Sequence, residues 1–195
     1  MAYLLVGLLL FLGVHSLRIF AEAWRAQQVA RIGPLPWKGL VSVLSLAGFA
    51  LLVWGWGMAR QTPVVLWQPP VGMRHAASLL TLLAFVLLAA AYVPGNAIKA
   101  RFHHPMVLGV KTWALAHLLS NGNVAHVVLF GSFLAWAVLL FIASRRRDRR
   151  EATVYAPGRL APTLVTVVVG VAAWAVFAFK LHGMWIGVRP FGGAM

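Results

Sequence analysis

HPMVLGVKTWALAHLLSNGNVAHVVLFGSFLAWAVLLFIA, His104–Ala143, decides the class of this chain. Two apolar runs, Pro105–Leu119 and Val124–Ala143, flank the turn-forming tetrad Ser120-Asn121-Gly122-Asn123. A helix needs about 20 apolar residues to cross a hydrocarbon core roughly 30 Å thick. The pair therefore reads as a tight antiparallel hairpin of membrane helices, its first arm short. Pro105 opens that arm, where a missing N–H costs no helical hydrogen bond.

Working outward, the same reading applies to Gly39–Ala59, Ala76–Val93 and Leu160–Phe179. At the start, Ala2–Val14 continues through His15 to Phe20. It lacks a basic leader region, and no small-residue cleavage site precedes His15, so it reads as a first membrane helix rather than a secretory signal. Beyond it, Ala21–Gln28 keeps helix-forming residues until Gly33-Pro34-Leu35-Pro36. Hydrophobic residues make up 62% of the 195 and charged ones 10%, against soluble norms of about 45–50% and 25%. The expected architecture is an all-α integral membrane bundle of about six transmembrane helices, one domain over residues 1–195. The fourth helix is short, and the fourth and fifth form the hairpin.

The net charge of +14 would suggest nucleic acid in a soluble protein, but here its distribution excludes that. With the N-terminus outside, the inside loops hold Arg18, Arg25, Arg31, Lys38, Lys99, Arg101, Arg145–Arg147, Arg149, Arg150 and Arg159. The outside holds Arg60, Arg74, Lys180 and Arg189, and Lys111 lies within a span, from which it can snorkel. This is the positive-inside asymmetry. The RRRDRR run, Arg145–Arg150, reads as an orientation signal and a contact for anionic lipid; no aromatic residues interleave it as a nucleic-acid surface would require. Membrane lipid is the implied partner.

Of the nine tryptophans, Trp37, Trp54, Trp56, Trp67 and Trp185 read as an interfacial belt. Trp113 and Trp136 fall nearer mid-helix, where a ring can pack in the core or stack on a flat ligand.

No cysteine is present, which excludes thiolate-ligated clusters, a thiolate axial ligand and c-type haem attachment. The only acids are Glu22, Asp148 and Glu151, so paired-carboxylate chemistry and an oxygen-ligand calcium site are excluded. Histidine remains. His117 lies inside an apolar run, with Trp113 one turn before and Asn121 one turn after on the same stripe. His126 opens the fifth helix at similar depth. His15, Arg18 and Glu22 share a face at spacings of three and four, so Arg18 can pair with Glu22 or clamp an anionic ligand group. His104 sits at the inner start of the short helix, with His103 beside it at the surface; His75 and His182 end helices. Imidazoles on separate membrane helices suit axial ligation of haem b, a three-histidine zinc site, or hydrogen bonds between helices.

HHPMVLGVKTWALAHLLSNGN followed by VLFGSFLAW resembles the signature of the NnrU family of bacterial membrane proteins. The HS-x-R pattern at His15–Arg18 and the terminal LHGMWIGVRPF resemble it too, so the likeness spans essentially the whole chain. The resemblance implies a bacterial inner-membrane protein linked to denitrification, to the expression or function of nitrite and nitric oxide reductases. The family is related to plant 15-cis-zeta-carotene isomerase, a haem b protein with histidine ligands. By that likeness His117 takes an axial-ligand role, His15 is the candidate second ligand and His126 the fallback. His104 matches a functionally important histidine, and Arg18, Trp113 and Asn121 complete the expected haem surroundings. An isoprenoid or nitric oxide becomes a candidate small partner. Where the plant enzyme has a cysteine three residues before its histidine, this chain has Ala114, so a Cys/His ligand switch cannot occur here. The HP start also resembles the RHP motif of membrane methyltransferases that use S-adenosylmethionine, but their acidic and Gly-rich companions are missing.

Overall fold

The computed structural model describes residues 1–191. Its helices are α1 Ala2–Phe20, α2 Glu22–Ile32, α3 Pro34–Ala59, α4 Gly72–Tyr92, α5 Ala97–Phe102, α6 Pro105–Ser120, α7 Val124–Arg150 and α8 Leu160–Val176, with a π-helical segment Phe177–Ile186. No strand forms among the described residues. Five helical stretches are long and apolar enough to cross a membrane, namely α1, α3, α4, α7 and Leu160–Ile186. The sixth expected span, α6, has 16 residues and covers about 24 Å, so it is the short helix of the bundle.

Several ends differ from the sequence expectation, each for a local reason. The first helix does not run on: Ala21 leaves helical geometry (φ −137°, ψ 38°), and α2 is a separate segment ended by Gly33 at φ 87°. Pro34 opens α3 rather than blocking it, since its ring suits a first turn. The basic run is helical to Arg150 and is not a loop, because arginine is a strong helix former and favours a helix C-terminus. Asn121 lies beyond the end of α6, so it does not extend the His117 stripe.

The chain divides into two compact units. The first comprises Met1–Gln68 and Asn121–Arg145. Within it α1 packs antiparallel on α3 through glycines rather than large side chains. A Cβ at Gly48 would come within 2.7 Å of the Phe11 backbone nitrogen, one at Gly7 within 2.8 Å of the Leu52 Cα, and one at Gly55 would strike the Leu4 backbone. Lipid offers no hydrophobic drive for helices to associate, so close backbone approach and dispersion must hold them. Leu4, Leu8 and Leu52 fill that seam, while Leu9, Val43 and Leu46 are exposed on the outer faces. Tyr3 stacks on Trp54 at 4.7 Å. Trp37, expected in the interfacial belt, is buried edge-on against Trp24 at 5.9 Å. The loop after α3 is clamped to the turn before α7: Leu66 N and Trp67 N donate to Gly122 O at 2.8 and 3.1 Å, and Val124 N donates to Val64 O at 2.9 Å.

The second unit comprises Pro69–Ser120 and Arg146 onward. Here α4 packs on α6 and α8 around Ala84, Leu87 and Ala90. Gly170 meets Val86, and Trp174 Nε1 donates to Thr81 Oγ1 at 3.1 Å. Asn96, 1% exposed, organises the turn after α4. Its amide donates to Ala90 O at 2.9 Å, its oxygen accepts from Lys99 N at 2.7 Å to cap α5, and Arg159 N reaches Gly95 O beside it at 2.9 Å.

The α1–α3 seam makes a direct prediction. Gly55→Val should destabilise the detergent-solubilised protein by roughly 1–3 kcal/mol through overpacking. Gly13→Ala, whose Cβ would meet nothing within 4 Å, should be neutral. Thermal-shift measurements on both variants check this, and equal losses would contradict the glycine seam.

Candidate functional site

The candidate histidines divide by what their ring nitrogens touch. On α1, His15 is half-buried, and its Nδ1 lies 2.7 Å from the Phe11 carbonyl oxygen one turn before. On α6, His117 repeats the arrangement, Nδ1 lying 2.8 Å from Trp113 O. A carbonyl has no proton to give, so in each pair the Nδ1–H is the donor. That is the state a metal-ligating imidazole needs, with the second nitrogen held by a backbone partner. Aromatic neighbours complete both settings. Trp113 lies 5.1 Å from His117, while Phe11 at 4.5 Å and Trp136, edge-on at 6.2 Å, flank His15.

His126, in the first unit, is held differently. Its ring packs edge-on to Trp56 at 4.8 Å and over Phe130 at 6.0 Å, and its Nδ1 is buried without a hydrogen-bond partner. It therefore lacks the fixed second nitrogen that His15 and His117 have. His15 and His126 are not brought together either. The α1–α7 contacts run in parallel register, Phe11 by Phe133 and His15 by Trp136. His126, ten residues before Trp136, is thus displaced by about 15 Å along α7.

His104 has another partner again. At the start of α6 its Nε2 donates to Asp148 Oδ2 at 2.8 Å, and the Tyr155 hydroxyl donates to the same carboxylate at 3.2 Å. His103 stacks on Tyr155 with centroids 4.0 Å apart and planes 9° apart. Thirteen residues separate His104 from His117, roughly 20 Å along one helix, so the two cannot serve one iron. His103 and Ala152 have positive φ, 66° and 47°, on the two sides of this cluster; a non-glycine residue keeps such backbone only where its surroundings hold it. Arg18 rests on Glu22 at 3.4 Å, with half its side chain exposed, and Arg25 reaches the other Glu22 oxygen at 3.1 Å. Ala114 is fully buried. Asn121 follows α6 in the turn. Among the described residues no group of three or more His, Asp or Glu side chains converges as a metal site, so the three-histidine zinc arrangement does not form there.

Asp148 and Tyr155 were not visible as site residues in the sequence. Asp148 is one acid within a basic run, and only the helical course of that run turns it toward α6. His103, expected at the surface, belongs to the same cluster. Trp136 gave no signal beyond its depth.

These features define a multi-pass α-helical membrane protein with two carbonyl-held imidazoles in its spans and a separate imidazole–carboxylate cluster at a helix boundary. The chain belongs to the NnrU family: the family described as NnrU protein matches residues 3–190. Comparison with curated proteins and with solved structures gave no match.

The Asp148 cluster makes a prediction of its own. Asp148→Ala should leave His104 and Tyr155 without their shared acceptor, a loss of about 1–3 kcal/mol locally. Limited trypsin digestion should then cleave the Arg145–Arg150 stretch faster than in the parent protein. Glu151→Gln, which alters an exposed pair with Arg150, should leave the cleavage rate unchanged.

Proposed function

We propose that this protein binds haem b in the bacterial inner membrane and acts in the denitrification-linked, redox- or nitric-oxide-related role that the NnrU resemblance implies. What supports the reading is the shared setting of His15 and His117, each with its Nδ1 held by a carbonyl of its own helix. Each of these imidazoles is a proposed iron ligand. The residues present fit the group: neutral imidazole donors, aromatic surfaces beside them, and no thiol to compete.

When bound, haem b would supply a one-electron centre. The chain's own part is positional. The Phe11 and Trp113 carbonyls fix the rotation of the two rings. Trp113 limits the tilt of His117.

Protein purified in detergent from haem-replete cells should show a Soret band, with α and β bands that sharpen on reduction. His117→Ala and His15→Ala should each lower haem per protein by an order of magnitude or shift the Soret position, since losing even an outer partner of a ligand costs about 10–100-fold. His104→Ala should retain the spectrum, because its Nε2 is committed to Asp148. A colourless purified protein sinks the cofactor reading, and an unchanged spectrum in both ligand variants sinks the assignment.

A further inference from the structure

The end of α7 is a basic run in the sequence, and the helix sorts that run into two faces. Val124–Arg150 is 27 residues and covers about 40 Å, of which the apolar stretch Val124–Ala143 takes about 30 Å, the thickness of a hydrocarbon core. Ser144–Arg150 therefore leaves the hydrocarbon still helical and crosses the headgroup layer. At spacings of three and four, Arg146, Arg149 and Arg150 share one side of the helix, and all three are exposed.

The acid within the run is on the other side. Asp148 lies roughly 200° around the helix from Arg146, and Ser144, one turn before it, is buried. The Asp148 side chain is 14% exposed, and its carboxylate is held by His104 Nε2 at 2.8 Å and by the Tyr155 hydroxyl at 3.2 Å. The negative charge is thus withdrawn to the packed side, and the exposed side is arginine. Glu151 meets Arg150 at 3.4 Å with both side chains more than half exposed, a contact that solvent weakens. Arg101 is exposed two residues before His103. Phe102 and Val154, 48% and 91% exposed, adjoin in the chain the stacked pair His103 and Tyr155. Cations beside exposed apolar side chains suit the boundary between headgroups and acyl chains.

We infer that Arg146, Arg149 and Arg150 form a docking face for the phosphate of an anionic phospholipid. A guanidinium presents a rigid fork of N–H donors that matches phosphate oxygens, and two of them one turn apart can close on one phosphodiester. A lipid brings its phosphate to the depth of these arginines while its acyl chains lie along the apolar stretch of α7. A soluble anion has no such second contact. The charge of the headgroup sets the selectivity. A zwitterionic lipid carries an ammonium that competes with arginine for its own phosphate, whereas phosphatidylglycerol carries none. The His104–Asp148–Tyr155 cluster positions the face by keeping the carboxylate off it.

Wild type and Arg146→Gln/Arg149→Gln are reconstituted in nanodiscs of equal phosphatidylglycerol and phosphatidylcholine. Native mass spectrometry then reads which lipid stays on the protein released from them. Wild type should retain phosphatidylglycerol in excess, and the double variant should lose about fivefold of that preference for each arginine removed. Arg31→Gln/Lys38→Gln removes the same charge from exposed positions in the first unit and should keep the preference. No preference in wild type overturns the inference. So does an equal fall in the two double variants, which would make net charge rather than this face the cause. Should Arg146→Gln/Arg149→Gln fail to fold by circular dichroism, Glu151→Gln serves in its place. It removes the acid beside Arg150 and should raise the preference for phosphatidylglycerol; an unchanged ratio overturns the inference.

Discussion

A polar side chain inside a membrane span must find its partner within the protein, and in this chain the partner is usually the carbonyl one turn back. Ser16 uses Leu12, Ser45 uses Val41, Thr112 uses Leu108, and Thr166 uses Pro162, at 2.6 to 2.9 Å. His15 and His117 obey the same rule with a chemical consequence the hydroxyls lack. A hydroxyl that donates backward has nothing left but weak acceptor capacity. An imidazole that donates backward through Nδ1 has its ring held in one orientation, with Nε2 on the far side. The constraint that makes these residues tolerable in lipid also fixes how their rings are presented.

The same medium explains how the helices pack. Since lipid is as apolar as leucine, larger side chains at the seam bring no association energy, and small residues that admit backbone contact do. Gly7, Gly48 and Gly55 therefore define the α1–α3 contact, and Gly109 and Gly170 serve α4 in the second unit. The many exposed Leu and Val residues are the consequence: their side chains face the solvent that suits them.

The spans were legible in the sequence because apolar length is a one-dimensional property. Pro105, Val124 and Leu160 begin helices where the runs begin. Helix ends were less legible where two rules compete. Arg145–Arg150 is polar enough for a loop but made of helix formers, and the helix prevails; Ala21 has high helix propensity yet sits at a break. In the candidate site, the depths of His15 and His117 could be read from the runs, but the state of their nitrogens could not, since that depends on side-chain rotamers. Asp148 was hidden because its partner, His104, lies 44 residues earlier in the chain, and Tyr155 because it joins the cluster through Asp148. Trp136 was hidden because an indole in a membrane helix is ordinary until its nitrogen is found without an acceptor.

The separation of carbonyl-held from carboxylate-held histidines follows from the scarcity of acid. The chain has three acidic residues, each with a basic or imidazole partner: Glu22 with Arg18 and Arg25, Asp148 with His104, Glu151 with Arg150. A carboxylate behind an imidazole is a common way to orient a metal ligand. Within hydrocarbon it would bring a charge whose desolvation exceeds what the contact returns. At the start of α6, beside a basic helix end, that cost is small, and there the carboxylate is used. Deeper in the spans the neutral backbone carbonyl does the same orienting work without the charge. The position of each histidine along its helix thus selects the kind of partner it can have.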